Sequence, residues 1–171
     1  MENNDMVEIN ISRIIPAQKW RVIRLIIKVW EFPAYIPSVK EAVVIQRGHK
    51  TMKTKWRVEI DGIPISWIEE DLLTPGENAI YFKAVEGDLQ EFSGEWLFKD
   101  SPGGTEVIVH ARLRVGIPVI KDFADVYVKK LLTQNFEAIL ESVERRLIST
   151  RYAGYKSGDK SKIAGFGIIG H

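Results

Sequence analysis

Glu69 and Asp71 are the residues of this chain whose types and spacing most readily do chemistry. They lie in the run "SWIEEDLL", two and four positions after Trp67. In an extended strand, residues two apart share a face, so all three would project to one side. A carboxyl group among apolar side chains keeps its proton to higher pH than in water, and a pair so placed can give and take protons. This requires the strand to keep its alternation beyond Trp67. If it bulges, or has left the core by Glu69, both acids are ordinary solvated side chains.

Most other catalytic schemes are set aside by composition. The chain has 171 residues, no cysteine and three histidines, His49, His110 and His171, none at ligand spacing from another. Thiolate nucleophiles, disulfides and cysteine-based zinc sites are therefore excluded, and no metal or cofactor is expected. No glycine-rich phosphate loop and no Gly-x-Ser-x-Gly elbow occurs. Net charge is +1, which gives no drive toward nucleic acid, and no nucleic-acid partner is expected. The basic stripe Lys53, Lys55 and Arg57, with Arg47 and Lys50 near the turn, reads as a solvated outer face on which Lys53 pairs across a hairpin with Glu70.

Aromatic residues make up 10% of the chain. Trp56, Trp67, Trp96 and Phe98 fall on the inner face of the expected sheet. They read either as core or as the lining of a cavity for a flat or long apolar ligand. Tyr127, Leu131 and Asn135 lie on the inner stripe of a late helix. A buried amide such as Asn135 needs partners, which the sheet backbone or a ligand could supply.

The elements that must position these groups are legible in outline. "VEINISRI" alternates as a strand. Pro16 suits the first turn of a helix over "AQKWRVIRLIIKVW", with Trp20, Ile23, Ile27 and Trp30 as its stripe. In "WEFPAYIPSV", Pro33 and Pro37 are expected to end this helical region. From Val39 to Val115 the pattern is strand-like. Its clearest feature is Asp61-Gly62, a two-residue turn that pairs Ile60 with Ile63, Val58 with Ile65 and Trp56 with Trp67. A helix from about Pro118 to Ser149 follows, with Ile120, Phe123, Tyr127, Leu131, Ile139, Val143 and Leu147 as its buried stripe. The rest is rich in glycine and lysine.

This order of elements resembles the helix-grip fold of the START-like (SRPBCC) superfamily. "FPAYIPSVKEAVVI" resembles that family's turn from helix to second strand. "VEGDLQEFSGEWLFKDSPGGTEV" resembles the Gly-x-Trp-x-Phe strand and Gly-Thr turn of the polyketide cyclase/dehydrase group, which includes coenzyme Q-binding proteins and ribosome-association toxins. The resemblance covers roughly residues 5 to 148. It implies an α+β fold: a curved antiparallel sheet of about seven strands wrapped around a long C-terminal helix, with short helices after the first strand. It also implies a cavity whose mouth is bordered by Phe32, Tyr35 and Ile36, held by the two prolines. Residues 1–149 are expected to form the ligand-binding domain and 150–171 a Gly/Lys-rich tail.

Three functions follow as expectations. The first is a carrier or chaperone binding a lipid, quinone or polyketide-like molecule. The second is a polyketide aromatase/cyclase or dehydratase with Glu69 and Asp71 as its acid and base. Relatives of that kind are expected to carry an arginine on the strand of Trp67, where this chain is acidic. The third is a ribosome-association interaction protein. "MENNDMVEIN" does not look like a signal peptide and no apolar run reaches the ~20 residues of a membrane span, so a cytoplasmic protein is expected. A homodimer and a transient membrane contact stay open.

Overall fold

The computed structural model describes residues 6–114 and 121–164, with side chains over 6–114 except Pro75 and over 126–150. Its strands are β1 (Val7–Ile15), β2 (Val39–Arg47), β3 (Thr51–Ile60), β4 (Ile63–Thr74), β5 (Ala79–Gly87), β6 (Glu91–Ser101) and β7 (Gly104–Arg114). They form one antiparallel sheet in the order β1-β7-β6-β5-β4-β3-β2. The helices are α1 (Lys19–Ile27), α2 (Phe32–Tyr35) and α3 (Lys121–Ala164). This is the helix-grip arrangement: a curved sheet closed by one long C-terminal helix, with short helices after the first strand.

The β3–β4 hairpin fixes the register of the inner face. Asp61 and Gly62 both take positive φ, 52° and 77°, the conformation of a tight hairpin turn whose twist matches its strands. Ile60 then pairs with Ile63, Val58 with Ile65 and Trp56 with Trp67, and the ladder runs without a shift to Thr51 and Leu72. On the other side of β4 a bulge does occur. Ile68 pairs with Glu86 but Glu69 with Ala84, so the extra residue, Val85, belongs to β5 and the alternation of β4 is untouched. Gly87, opposite Trp67, has φ 118°, and a Cβ there would lie 2.5 Å from Ser66 O. Only glycine lets β5 come this close to β4.

The core lies between sheet and α3. Val107, Val109, Ala111 and Leu113 of β7 and Ile9 and Ile15 of β1 are fully buried, facing Leu140 and Val143 of α3. Thr105 is buried among them and donates its hydroxyl to Ala17 O at 2.7 Å. Arg13 and Glu144 tie β1 to α3 by an ion pair.

Several local expectations are corrected. Pro16 lies outside the helix, in a bend closed by Ala17 N–H to Ile15 O, and α1 begins at Lys19. The buried side of α1 is Val22 and Ile26, whereas Trp20 is 59% exposed and Trp30 41% exposed. Trp20 Nε1 donates to Gln18 at 2.8 Å, and the Trp30 ring carries the Arg47 guanidinium 4.6 Å above it. Pro33 does not end the first helix. The chain leaves α1 at Lys28, and Pro33 stands in the first turn of α2, where a missing N–H costs nothing. Pro37 does stop α2, and Ile36 before it is extended (φ −112°, ψ 107°). The last helix passes Ser149 and stays helical to Ala164. Nothing in that stretch forbids it, because glycines such as Gly154 and Gly158 each cost only ~1 kcal/mol in a helix. Val115, Ile120 and the final residues of the expected tail lie outside the described residues, as does the side chain of Phe123.

Candidate functional site

A cavity lies between the concave face of β3–β6 and the helices. Trp56, Trp67, Glu69, Asp71, Trp96 and Asn135 line it. Strand alternation on the unshifted β3–β4 ladder carries Trp67, Glu69 and Asp71 inward together, and all three are buried.

The rings form a continuous row. Phe32 meets Trp56 at 6.0 Å, and Trp56 stacks on Trp67 at 5.8 Å with 10° between planes. Trp67 meets Phe92 edge-on at 5.8 Å. Phe136 of α3 touches Phe92 at 6.2 Å and Trp96 at 5.6 Å. Each such pair contributes about 0.5–1.5 kcal/mol beyond its buried area, so the wall is stiff as well as apolar.

Set into this wall is the acid pair. Trp67 Nε1 donates to Glu69 Oε2 at 2.9 Å. Glu69 is held well above the usual carboxylate range, first by burial and then by the negative charge of Asp71 beside it. The indoles of Trp67 and Trp56 oppose this weakly. Trp56 Nε1 nevertheless falls short of hydrogen-bond geometry and has no partner within the protein. Asp71 is pushed up to about 6 by burial, with the neighbouring Glu69 carboxyl pulling it partly back. Burial and mutual repulsion thus keep the two carboxyls from both ionising readily, and they share a proton to higher pH than an isolated pair would. Asp71 Oδ2 is buried with no hydrogen-bond partner.

The side facing the helices is held by a few polar contacts. Ser38 Oγ donates to Asn135 Oδ1 at 2.9 Å, so the buried amide finds a side chain from the loop after Pro37 rather than sheet backbone. The Arg146 guanidinium lies 4.6 Å from the Tyr35 ring centre and pairs with Glu31 at 3.3 Å. Tyr35 OH is buried without a partner, and burial pushes it up to about 12. The free space, counted as volume open to the centre of a water molecule, is about 50 Å³. One ordered water needs ~10–15 Å³ on that measure.

Other expected site residues lie elsewhere. Ile36 is fully buried and does not line the cavity, so it cannot border a mouth. Phe98, one alternation beyond Trp96, pairs with Val107 and packs in the closed core. Leu131 is buried and Tyr127 half-buried, but the helix row facing the cavity is Leu132, Phe136 and Ile139. A helix facing a curved sheet buries a stripe wider than one row, and the row one position along was overlooked. Phe82 and Phe92 were also overlooked. Phe82 pairs with Asp71, and Phe92 shares the parity of Trp96, so strand alternation could have placed both.

Among the described residues no cluster of three or more metal-ligating side chains occurs, and no helix is long and apolar enough to cross a membrane. Residues 15–140 match the family described as "Polyketide cyclase / dehydrase and lipid transport". No curated protein matches the sequence. Among solved structures, the chain is similar to the protein TTHA0849 from Thermus thermophilus, with 26% identity and TM-score 0.78 over 84% of this chain and 99% of that one. It is similar in fold to the Zhui aromatase/cyclase from Streptomyces sp. R1128, with 16% identity and TM-score 0.76 over 83% and 93%. A START superfamily protein from Mycobacterium smegmatis shares 21% identity with TM-score 0.67 over 85% and 98%.

Proposed function

The chain belongs to the polyketide cyclase / dehydrase and lipid transport family, and from that premise we propose that it is a cytoplasmic carrier or chaperone that binds an apolar small molecule between sheet and α3. The observation that carries this reading is the ring-lined cavity, in which Trp56 Nε1 and Asp71 Oδ2 are left without partners inside the protein. A buried polar group without a partner costs about 1–3 kcal/mol, and a ligand bearing the complementary group would remove that cost.

The ligand has to make room for itself. Pockets for small molecules usually measure ~300–1,000 Å³, far more than the free space here. The segment 28–38 and α3 are the movable wall, because side-chain contacts such as Ser38–Asn135 and Arg146–Glu31 hold them together. Purification followed by native mass spectrometry tests the reading. A co-purifying lipid, quinone or polyketide-like species, or uptake of one from a panel, supports it. A bare protein that takes up none of them sinks it.

The acid pair favours a second reading, proton transfer on the bound molecule. Protonated Glu69 would donate to a carbonyl oxygen while ionised Asp71 takes a proton from the adjacent carbon, as in an enolisation that precedes cyclisation or dehydration. The acidic run in place of an arginine means that any enolate would be met by an acid's proton rather than a fixed cation. Glu69→Gln should then keep the ligand and lose turnover, whereas a carrier keeps its full function.

A further inference from the structure

The cavity is built from α1, α2, the turn between them, β3, β4, β5, β6 and α3, yet among the described residues its lining holds no lysine, arginine or histidine. Glu69 and Asp71 are its titratable groups, Asn135 its remaining polar side chain apart from the indoles, and the other lining residues are apolar. Lys53 and Lys83, flanking the pair on β3 and β5, have the opposite parity, and Lys53 is occupied by Glu70 at 3.3 Å. Arg146 is turned to Tyr35 and Glu31. Among the described residues, nothing within the cavity compensates the negative charge of the pair.

Two orphaned atoms define what the polar end of a ligand must bring. Asp71 Oδ2 can only accept a hydrogen bond while ionised, and Trp56 Nε1 can only donate one. A hydroxyl carries both functions in a single group, and an ammonium satisfies the carboxylate. A carboxylate ligand satisfies only the indole, and sets a second negative charge beside Asp71 where little water screens it.

Resting on the reading of the cavity as a ligand site, we propose that this cavity selects apolar alcohols, phenols and amines, whose donor pairs with Asp71, and excludes apolar carboxylates such as fatty acids. The acid pair then works as a charge filter on the head of the ligand, and the tryptophan wall accepts its apolar body.

Three probes with the same ten-carbon chain, 1-decanol, decylamine and decanoate, test this at pH 7.5 below their micelle-forming concentrations, with tryptophan fluorescence as the readout. Decanol and decylamine are expected to bind at least about fivefold more tightly than decanoate, and Asp71→Asn is expected to shrink that gap. A smaller gap in the wild type overturns the proposal. So does a gap that survives undiminished in Asp71→Asn, checked for folding by circular dichroism, with Asp71→Ser in its place should it not fold. Equal binding of all three removes the charge filter alone. Binding of none removes the ligand site as well, so the two failures are told apart.

Discussion

The two halves of the sheet follow one alternation rule to opposite ends. On β1 and β7 the inward positions are mostly aliphatic and closed against α3, the inward Arg13 is paired with Glu144, and the buried hydroxyl of Thr105 is satisfied by Ala17 O. On β3 and β4 the inward positions include Thr54, Trp56, Trp67, Glu69 and Asp71 beside Met52, Val58, Ile60 and Ile65, and three of them leave a polar atom unpaired: Thr54 Oγ1, Trp56 Nε1 and Asp71 Oδ2. A fold that can satisfy its buried polar groups, as the first half does, carries unsatisfied ones in the second at a cost in stability. Such a cost is understandable where something else is to be bound. The first half holds the protein together, and the second carries the candidate site.

The sharpest way to break this contrast is to damage the closed half. Leu113→Ala should cost about 2–5 kcal/mol of stability, read by urea denaturation, with no loss of ligand affinity in the protein that remains folded. A change in affinity as large as the change in stability would mean that the halves are not separable.

Asp71→Asn should act in the opposite direction. Burial raises Asp71 from 3.8 to about 6 in the folded protein, so the folded state holds a proton that the unfolded state has released between those values. This contribution to stability is present below about pH 4 and is lost as pH rises through about 6. At pH 7.5 the variant should be more stable than the wild type by about 3 kcal/mol, with the advantage fading as pH falls toward 4. Thermal melts at the two pH values measure it, and equal shifts at both would contradict the buried charge.

Smaller effects sharpen the picture. Arg146→Ala removes the guanidinium from Tyr35 and Glu31 and should cost about 1 kcal/mol or less, because the side chain is partly exposed. It should also speed ligand entry in stopped-flow fluorescence. An unchanged rate would place the opening elsewhere. Least of all, Lys53→Ala breaks an exposed pair with Glu70 and should stay within about 0.5 kcal/mol and leave affinity alone.

How much of this was legible in the sequence depended on how local the determining physics is. The Asp61-Gly62 turn is a property of two residues, and from it the Trp56–Trp67 stack and the inward acids follow by counting. The face of α1 is not local. "WRVIRLIIKVW" carries apolar residues on most sides, so which row turns inward is decided by where the helix docks, and Val22 and Ile26 won over Trp20 and Trp30. Pro33 misled for a related reason: a proline that cannot continue one helix can open the next. The tightness of the cavity was invisible because it depends on how Phe136 and Phe92 fill the space above Trp67.

The unshifted ladder between β3 and β4 has a consequence for how this chain tolerates change in length. Insertions at a hairpin tip are ordinarily harmless. Here the tip sets an odd–even count that the acids inherit across the strand, because nothing between Ile63 and Leu72 resets it against β3. Deleting one residue between Gly62 and Trp67 would carry Trp67, Glu69 and Asp71 to the outer surface at once and drive Ser66, Ile68 and Glu70 inward, whereas deleting two would leave the parity intact. The site is in that sense written in the arithmetic of the strand, and deletions of one, two and three residues between Gly62 and Trp67 should read out as loss, retention and loss of ligand binding.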